Sequence, residues 1–463
     1  MKPVVAIIGR PNVGKSTLFN RIVRRREAIV DNLPGVTRDR LYGEAVWDER
    51  PFLVVDTGGF LSGDDDPFAP HIRRQVEQAV AESDAVVMVL DGRQGLSPFD
   101  RDLTLRLRSA DQPVFYVVNK IDGPAQEELL HDFYALGLEP LYSLSAEHGY
   151  GVPDFLDDLV AALPAPQPAP EQIDPEAVRV AVVGRPNAGK SSLINRLLGQ
   201  ERMVVSEVAG TTRDAVDTLL QRQGRAYRFI DTAGIRRKAK VDLKLEKFSI
   251  IKALKSLEAC DVALIVLDAE QGVTEQDIRV AGYAHDRGCG AVFVANKWDL
   301  VDARTLTPHQ FTRELRESAR FLPHAPVLTV SALTGQRVAK IFPLIDSVFA
   351  QYTTRIGTGV INRIVTEAVQ RNEPSMHKGR RLKFYYTTQV SERPPTFVTF
   401  VNHPEAVHFS YHRFLLNQIR LQTGLDQTPL RLIFRQRTGK IDFANWKKNK
   451  QKPKSKKTRR KKR

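Results

Sequence analysis

The sequence predicts an α/β protein with two tandem domains, each a mainly parallel sheet with helices on both faces, and a disordered basic tail. Three observations carry this prediction. The segment GRPNVGKSTLFNRI, Gly9 to Ile22, returns as GRPNAGKSSLINRL, Gly184 to Leu197, at an offset of 175 residues. Within each copy, short β-rich apolar runs alternate with helix-length segments. From Lys447 to Arg463 the chain carries twelve Lys or Arg and no acid.

The repeat extends well beyond its opening segment. The same offset carries Thr37 onto Thr212, Asp56 onto Asp231 and Gly59 onto Gly234, while Asn119 maps to Asn296 at 177 and Ser145 to Ser331 at 186. The drift places insertions downstream, in loops that tolerate them. A period this long is a duplicated domain, not a solenoid unit. Pro3 to Ile8, Phe52 to Val55, Ala85 to Leu90 and Val114 to Val118 read as buried strands in the first copy. Val178 to Val183, Arg228 to Ile230, Val262 to Leu267 and Ala291 to Ala295 repeat them. Strand, loop, helix, strand in this order implies right-handed βαβ units, with ligands at the carboxyl ends of the strands. Between the copies lies LPAPQPAPEQIDPE, with proline at 164, 166, 168 and 170, which reads as an extended, semi-rigid linker. The expected domains are therefore 1–163 and 177–352, joined by a linker at 164–176.

Composition bounds the rest. A chain of 463 residues has room for about three domains. Two cysteines, Cys260 and Cys289, cannot build a disulfide framework and read as buried, reduced thiols of a cytoplasmic protein. The start, MKPVVAIIGR, runs straight into a glycine loop without the pattern of a signal peptide, and the apolar runs are far too short to span a bilayer. The net charge is +15, and the twelve cations of the tail leave +3 for everything else. So polar a tail cannot offset the entropy of ordering and is expected to be disordered when free.

Every motif that carries chemistry follows an expected strand. The loops Gly9-Arg10-Pro11-Asn12-Val13-Gly14-Lys15-Ser16 and Gly184-Arg185-Pro186-Asn187-Ala188-Gly189-Lys190-Ser191 have the form GxxxxGKS. Their glycines let consecutive backbone N–H groups face phosphates, and the helix that follows adds its positive end. Lys15 and Lys190 would reach the β- and γ-phosphates, and the hydroxyls of Ser16 and Ser191 would ligate Mg²⁺. Asp56-Thr57-Gly58-Gly59, followed by Phe60, and Asp231-Thr232-Ala233-Gly234, followed by Ile235, close an apolar strand each. The aspartate can hold the Mg²⁺ shell, and the last glycine can offer its N–H to the γ-phosphate. Thr37 in PGVTRD and Thr212 in AGTTRD could complete that shell only when a γ-phosphate is present, which makes each loop a switch, the alternative being a polar turn residue. Lys15, Thr37, Gly59, Lys190, Thr212 and Gly234 form the expected catalytic set.

The base is encoded by Asn119-Lys120-Ile121-Asp122 and Asn296-Lys297-Trp298-Asp299. Guanine offers a ring N–H and an amino group on one edge, and a carboxylate accepts from both, whereas adenine lacks that amino group. GTP is expected, not ATP. Ser145-Ala146 and Ser331-Ala332 fall where a backbone N–H could meet guanine O6.

On these motifs the chain resembles the Der (EngA) family, bacterial double-GTPases of the Era-like group, over nearly its whole length. The resemblance implies two GTPase domains joined by a linker, then a small α+β KH-like domain, here 353–443, before the tail at 444–463. The run FYYTTQVSERPPTFVTFVNHPEAVHFSYHRFLLNQIR is similar to that family's segment. It further implies a cytoplasmic, monomeric factor in late maturation of the large (50S) ribosomal subunit, with rRNA as partner. One departure is that 353–443 contains no GxxG, the loop by which ordinary KH domains clamp a nucleic-acid backbone. Phe384, Tyr385, Tyr386, Phe397 and Phe400 read as core rather than as a base-stacking platform.

Phe60 and Ile235 stand where many GTPases place the glutamine that orients the attacking water, so both domains are expected to be slow alone. The related family implies K⁺ as the missing charge, held in part by the asparagine of the phosphate loop, here Asn12 and Asn187. The other reading of that asparagine is a cap of its own loop. Two further function classes remain open behind a GTP-driven ribosome-assembly factor. A membrane-remodelling GTPase needs an apolar or amphipathic anchor, and none is found; a nucleotide kinase leaves both NKxD sequences unexplained.

Overall fold

A computed structural model of the chain describes residues 2–23, 42–57, 76–77, 79–165, 177–199, 204–209, 216–232, 250–302, 304–374, 376 and 381–437. The chain divides into two compact units, Met1–Thr354 with Asp426–Pro429, and Arg355–Leu425 with Leu430–Arg463.

In the first domain of the larger unit, β1 (Val4–Ile8) leads to α1 (Lys15–Val23), β2 (Tyr42–Trp47), β3 (Arg50–Asp56) and β4 (Ala85–Asp91). Then come α2 (Pro98–Leu107), β5 (Val114–Asn119), β6 (Leu141–Leu144) and α3 (Val152–Ala162). The sheet order is β2-β3-β1-β4-β5-β6, parallel throughout except for the β2–β3 pair. All five residues of β1 are buried, as a strand covered on both faces requires. Val5 and Ile7 pack with Leu18 and Phe19 of α1 and Phe155 of α3, while Val4, Ala6 and Ile8 share the opposite core with Leu103 and Leu107 of α2. Burying such a side chain stabilises by about 1.5–3 kcal/mol. Fixing a residue's backbone costs about 1–2 kcal/mol. The central strands therefore hold themselves in place, whereas the loops at their ends depend on hydrogen bonds.

The second domain repeats the plan with β7 (Val178–Val183), α4 (Lys190–Leu198), β8 (Val204–Ala209), β9 (Val216–Arg222), β10 (Arg225–Phe229) and α5 (Ile250–Ala259). It continues with β11 (Val262–Asp268), α6 (Glu275–Arg287), β12 (Gly290–Asn296), α7 (Pro308–Ser318), β13 (Val327–Thr329) and α8 (Ile341–Tyr352). Its order is β13-β12-β11-β7-β10-β9-β8, with β8 and β9 antiparallel at one edge. Every strand expected from the sequence is present, with ends no more than three residues from those expected. A matched detail ties both domains: Asp84 accepts the N–H of Val4 at 2.8 Å and Asp261 that of Arg179 at 3.1 Å, each fixing the first turn into the central strand. Cys260 and Cys289 are buried and free, with Sγ atoms 3.5 Å apart, and the neighbouring thiol together with burial pushes the Cys260 pKa up, which keeps it a thiol.

The smaller unit comprises α9 (Thr358–Arg371), β14 (Phe384–Glu392), β15 (Pro395–Val401), α10 (Phe409–Thr423) and β16 (Arg431–Gln436). Its sheet is β14-β15-β16, antiparallel then parallel. Ile361, Ile364 and Val365 of α9 and Leu415 and Ile419 of α10 cover one face over Phe397 and Leu432. The aromatic cluster divides here. Phe397 is wholly buried and Phe384 packs on the core, as expected, but Tyr385 is exposed beneath the Arg437 guanidinium, 4.7 Å from its ring centroid. Tyr386 and Phe400 are half-buried and stack at 4.6 Å and 14°. A bulge between Phe384 and Tyr386 breaks the alternation on which the core reading relied. Among the described residues no helix is long and apolar enough to cross a membrane.

Candidate functional site

The two candidate sites form where β1 and β7 run into their glycine loops. Gly14 and Gly189 adopt φ of +96° and +88°, and a Cβ on either would lie 2.2 Å from Nδ2 of Asn119 or Asn296. Only glycine permits this approach. It brings the asparagine of each NKxD motif onto the phosphate loop: Asn119 donates from Nδ2 to Val13 O at 2.8 Å and accepts the Ala146 N–H at Oδ1 at 2.8 Å. Asn296 does the same with Ala188 O and the Ala332 N–H, both at 2.9 Å. One buried amide thus ties together the three loops that the sequence assigned to phosphate and base.

The neighbouring lysines extend the tie. Lys120 donates from Nζ to Asn12 O at 3.0 Å and pairs with Asp91, while Lys297 pairs with Asp268 at 2.7 Å. Both lysines have positive φ, +72° and +60°. Asp122 is the acceptor that faces outward: Oδ1 takes the Ser145 hydroxyl at 2.8 Å and Oδ2 the Arg93 guanidinium at 2.6 Å. The Ser145 hydrogen bond, then Arg93, hold this carboxyl below the usual carboxylate range, so it is an acceptor at neutral pH. Asp299 is exposed. Ile121 is buried in the core, and Trp298 packs edge-on against Phe311 at 5.9 Å. The N–H groups of Ser145 and Ser331 already donate to Tyr150 O and Gln336 O, and those of Ala146 and Ala332 to the asparagines. A guanine O6 reaching this turn would share an engaged amide.

On the phosphate side, Ser16 Oγ and Asp56 Oδ2 lie 2.6 Å apart at the ends of different elements. A hydroxyl and a carboxylate side by side suit Mg²⁺, which takes few protein oxygens and leaves its other positions to phosphate and water. In the second domain the Asp231 backbone N–H instead donates to Asp217 Oδ1 at 3.0 Å, and Asp231 has φ +53°. Thr57 donates to Ile7 O at 2.8 Å and Thr232 meets Thr218 at 2.6 Å, so both are wall residues. Asn12 and Asn187 are exposed with φ of +64° and +61°, while Val13 and Ala188 plug the core beneath. Pro11 and Pro186 shape the same turn. The side chains of Arg10 and Arg185 turn away to Asp100 and Asp277, each at 3.4 Å, leaving only their backbones to the cradle. Thr37, Gly58, Gly59, Phe60, Thr212, Ala233, Gly234 and Ile235, the linker from 166 to 176 and the tail lie outside the described residues.

The structure adds residues that the motifs did not single out. Arg21 and Arg196 donate from Nε to Ala146 O and Ala332 O, clamping the base turn to α1 and α4. They are related by the 175-residue offset, and Asp91 and Asp268 by 177. Following the repeat beyond the known motifs would have found them.

Lys15 is the strongest electrostatic feature. Its Nζ donates to Gly9 O at 2.9 Å and Arg10 O at 2.6 Å, and burial lowers its pKa from 10.5 to about 8 against the opposing pull of Asp56. A polyphosphate would raise it again. Between those values the free protein lacks a proton that the complex holds, so binding at this site is expected to take up a proton above pH 8 and to weaken by up to about tenfold per pH unit. Calorimetry at pH 8.5 in buffers of different ionisation enthalpy measures this uptake, and its absence contradicts the assignment. The same depression makes the charged lysine a cost to the fold below pH 8, relieved as pH rises towards 10.5, because the unfolded chain then binds more protons.

Two phosphate loops at the carboxyl ends of mainly parallel sheets, each tied to an NKxD turn, define a protein with two P-loop sites of the GTPase type. The family model described as 50S ribosome-binding GTPase matches residues 4–120 and 179–297, and that for the C-terminal KH-domain-like region of EngA bacterial GTPase enzymes matches 355–435. GTPase Der of Desulforapulum autotrophicum is 60% identical over 454 residues, covering 96% of this chain and 92% of the relative. GTPase Der of Citrifermentans bemidjiense is 51% identical over 440 residues, covering 95% and 100%. The chain belongs to the Der family of GTPases.

Proposed function

We propose that both sites bind and hydrolyse GTP and that the chain uses them as an assembly factor in late maturation of the large (50S) ribosomal subunit. The observation that carries the first half is the duplicated asparagine tie, which places a phosphate loop, an NKxD turn and a Ser-Ala turn together in each domain. The second half is supported by the family's description as 50S ribosome-binding and by the cationic tail. Lys15 and Lys190 leave their loop carbonyls for phosphate oxygens. Ser16 with Asp56, and Ser191 with Asp231, hold Mg²⁺, and Thr37 and Thr212 join when a γ-phosphate is present. Bound there, Mg²⁺ would neutralise charge on the β- and γ-phosphates; water attacks the γ-phosphorus, the bond to the β–γ bridging oxygen breaks, the water's proton passes to the departing phosphate, and GDP and phosphate leave. Gly59 and Gly234 offer N–H groups to the γ-phosphate. The protein is taken as monomeric and cytoplasmic.

Phe60 and Ile235 cannot hydrogen-bond the attacking water, so hydrolysis is slow without help, and Asn12 and Asn187 would hold K⁺, which would supply the missing positive charge. GTP turnover is expected to be faster in KCl than in NaCl at equal ionic strength. The positive φ of both asparagines gives a discriminating substitution. Asn12→Gly and Asn187→Gly keep the backbone and lose the ligand, so they lose the K⁺ advantage if the side chain holds the ion and keep it if asparagine serves only the turn. Equal rates in both salts end the idea. The wider function is tested by co-sedimentation with ribosomal subunits: the intact protein should pellet with the large subunit more with a GTP analogue than with GDP, and failure to prefer that subunit overturns it.

A further inference from the structure

The two candidate base sites share one scaffold and differ in one charge. In the first domain the turn after β4 is fixed to the NKxD segment through its backbone. Gly92 N–H donates to Asn119 O at 2.9 Å, and the N–H groups of Arg93 and Gln94 both donate to Asp91 Oδ1, at 3.0 and 3.1 Å. A Cβ on Gly92 would stand 2.7 Å from Ile121 Cδ1, so the turn lies flush against that segment. The second domain repeats each bond. Ala269 N–H donates to Asn296 O at 2.9 Å, and those of Glu270 and Gln271 donate to Asp268 Oδ1 at 3.1 and 3.4 Å. On this common turn the first domain carries Arg93 and the second Glu270, both exposed.

The arginine reaches the carboxylate that reads the base. Asp122 is seated without it: its N–H donates to Gln126 Oε1 at 2.9 Å, and Oδ1 accepts the Ser145 hydroxyl at 2.8 Å, with His148 Nε2 3.9 Å away. Arg93 Nη2 then donates to Oδ2 at 2.6 Å from the solvent side, its own side chain 61% exposed. Guanine needs both oxygens, one for the ring N–H and one for the amino group. It also has to arrive from solvent, because Oδ1 is turned towards the Ser145 loop. Arg93 therefore stands on the edge where the base must land. Glu270 can make no such pair with Asp299, since both are acids.

We propose that Arg93 is a latch on the guanine acceptor of the first site: its ion pair with Asp122 closes the empty site, guanine displaces it, and the opening slows loading of this site alone. This rests on reading the first domain's loops as a guanine site, and it deepens that reading by naming a residue that sets the site's affinity. Exposed ion pairs are weak, so the effect is a few fold and not a block. Its sign identifies it. An exposed cation acting only through its field would speed capture of an anionic nucleotide, and its removal would slow loading. Removal of a latch speeds it.

The test uses the full-length chain carrying Asp299→Asn, whose second site takes xanthosine nucleotides, so that fluorescent GDP reports the first site. Adding Arg93→Gln is expected to raise the association rate for GDP about two- to fivefold and to leave the dissociation rate unchanged, because the pair is absent from the complex. The gain should shrink as salt rises and screens the exposed pair. In a chain carrying Asp122→Asn the first site is read with fluorescent xanthosine diphosphate, and there Arg93→Gln should not speed loading, because the carboxylate that Arg93 holds is gone. A slower or unchanged association rate in the Asp299→Asn chain, a faster dissociation rate, or an equal gain in the Asp122→Asn chain overturns the latch. An Asp299→Asn chain that still binds GDP at two sites, or an Asp122→Asn chain that refuses xanthosine, sinks the base-site reading itself, and the latch with it.

Discussion

Asp122→Asn is expected to lower the first site's GTP affinity by about 10²–10⁴-fold and to turn its preference towards xanthosine triphosphate. The carboxylate can accept both the ring N–H and the amino group of guanine, and hydrogen bonds to a charged acceptor contribute about 1.5–3 kcal/mol each. The amide keeps one acceptor and turns the other position into a donor, which faces guanine's amino group unfavourably and xanthine's carbonyl favourably. The structure sharpens the expectation, since Ser145 and Arg93 hold Asp122 ionised and positioned. Asp299→Asn should do the same to the second site alone. Arg93 has the acid Glu270 as its repeat counterpart, so no similar cation competes for Asp299 from that position. Fluorescent-nucleotide titration of each variant separates the sites, and wild-type GTP affinity in either refutes that motif's assignment.

What the sequence made legible follows from what its patterns report. Apolar runs such as Val262 to Leu267 mark strands buried on both faces, because a parallel sheet between helix layers admits little else. Motif spacing located the loops at the strand ends. It did not reveal that Asn119 and Asn296 are ties between loops, since that role depends on the space left by Gly14 and Gly189 more than a hundred residues earlier. Nor did it separate the arginines of the phosphate loops from phosphate ligands: their partners, Asp100 and Asp277, belong to helix caps that no nucleotide motif includes. The misplaced aromatic was Tyr385, displaced by a bulge, and bulges leave no mark on alternation until the partner strand is known. The contacts of Tyr42 with α6 were beyond sequence reasoning altogether, because they join surfaces of two domains whose repeat implies similarity and says nothing of docking.

Truncation before Lys447 is expected to have the largest effect on partner binding and the least on nucleotide choice. The deleted segment carries twelve cations without an acid and follows β16, whose exposed Arg431 and Arg435 continue the positive charge. On rRNA such a tail acts by releasing counterions, a contribution that depends on salt and is nearly blind to sequence. Engagement of six to ten phosphates changes affinity by about 10³–10⁵-fold between 50 and 200 mM salt. The truncated protein should therefore lose most affinity for the large subunit at low salt and show a flattened salt dependence. Its preference for the GTP-analogue state over GDP should survive, because that preference is assigned to the Thr37 and Thr212 loops and a ligand shifts an equilibrium only through differential affinity for its states. Sedimentation across a salt series, with each nucleotide and both proteins, measures slope and preference together. An unchanged slope makes the tail a solubilising extension, and a lost nucleotide preference means that the tail, not the loops, selects the docked state.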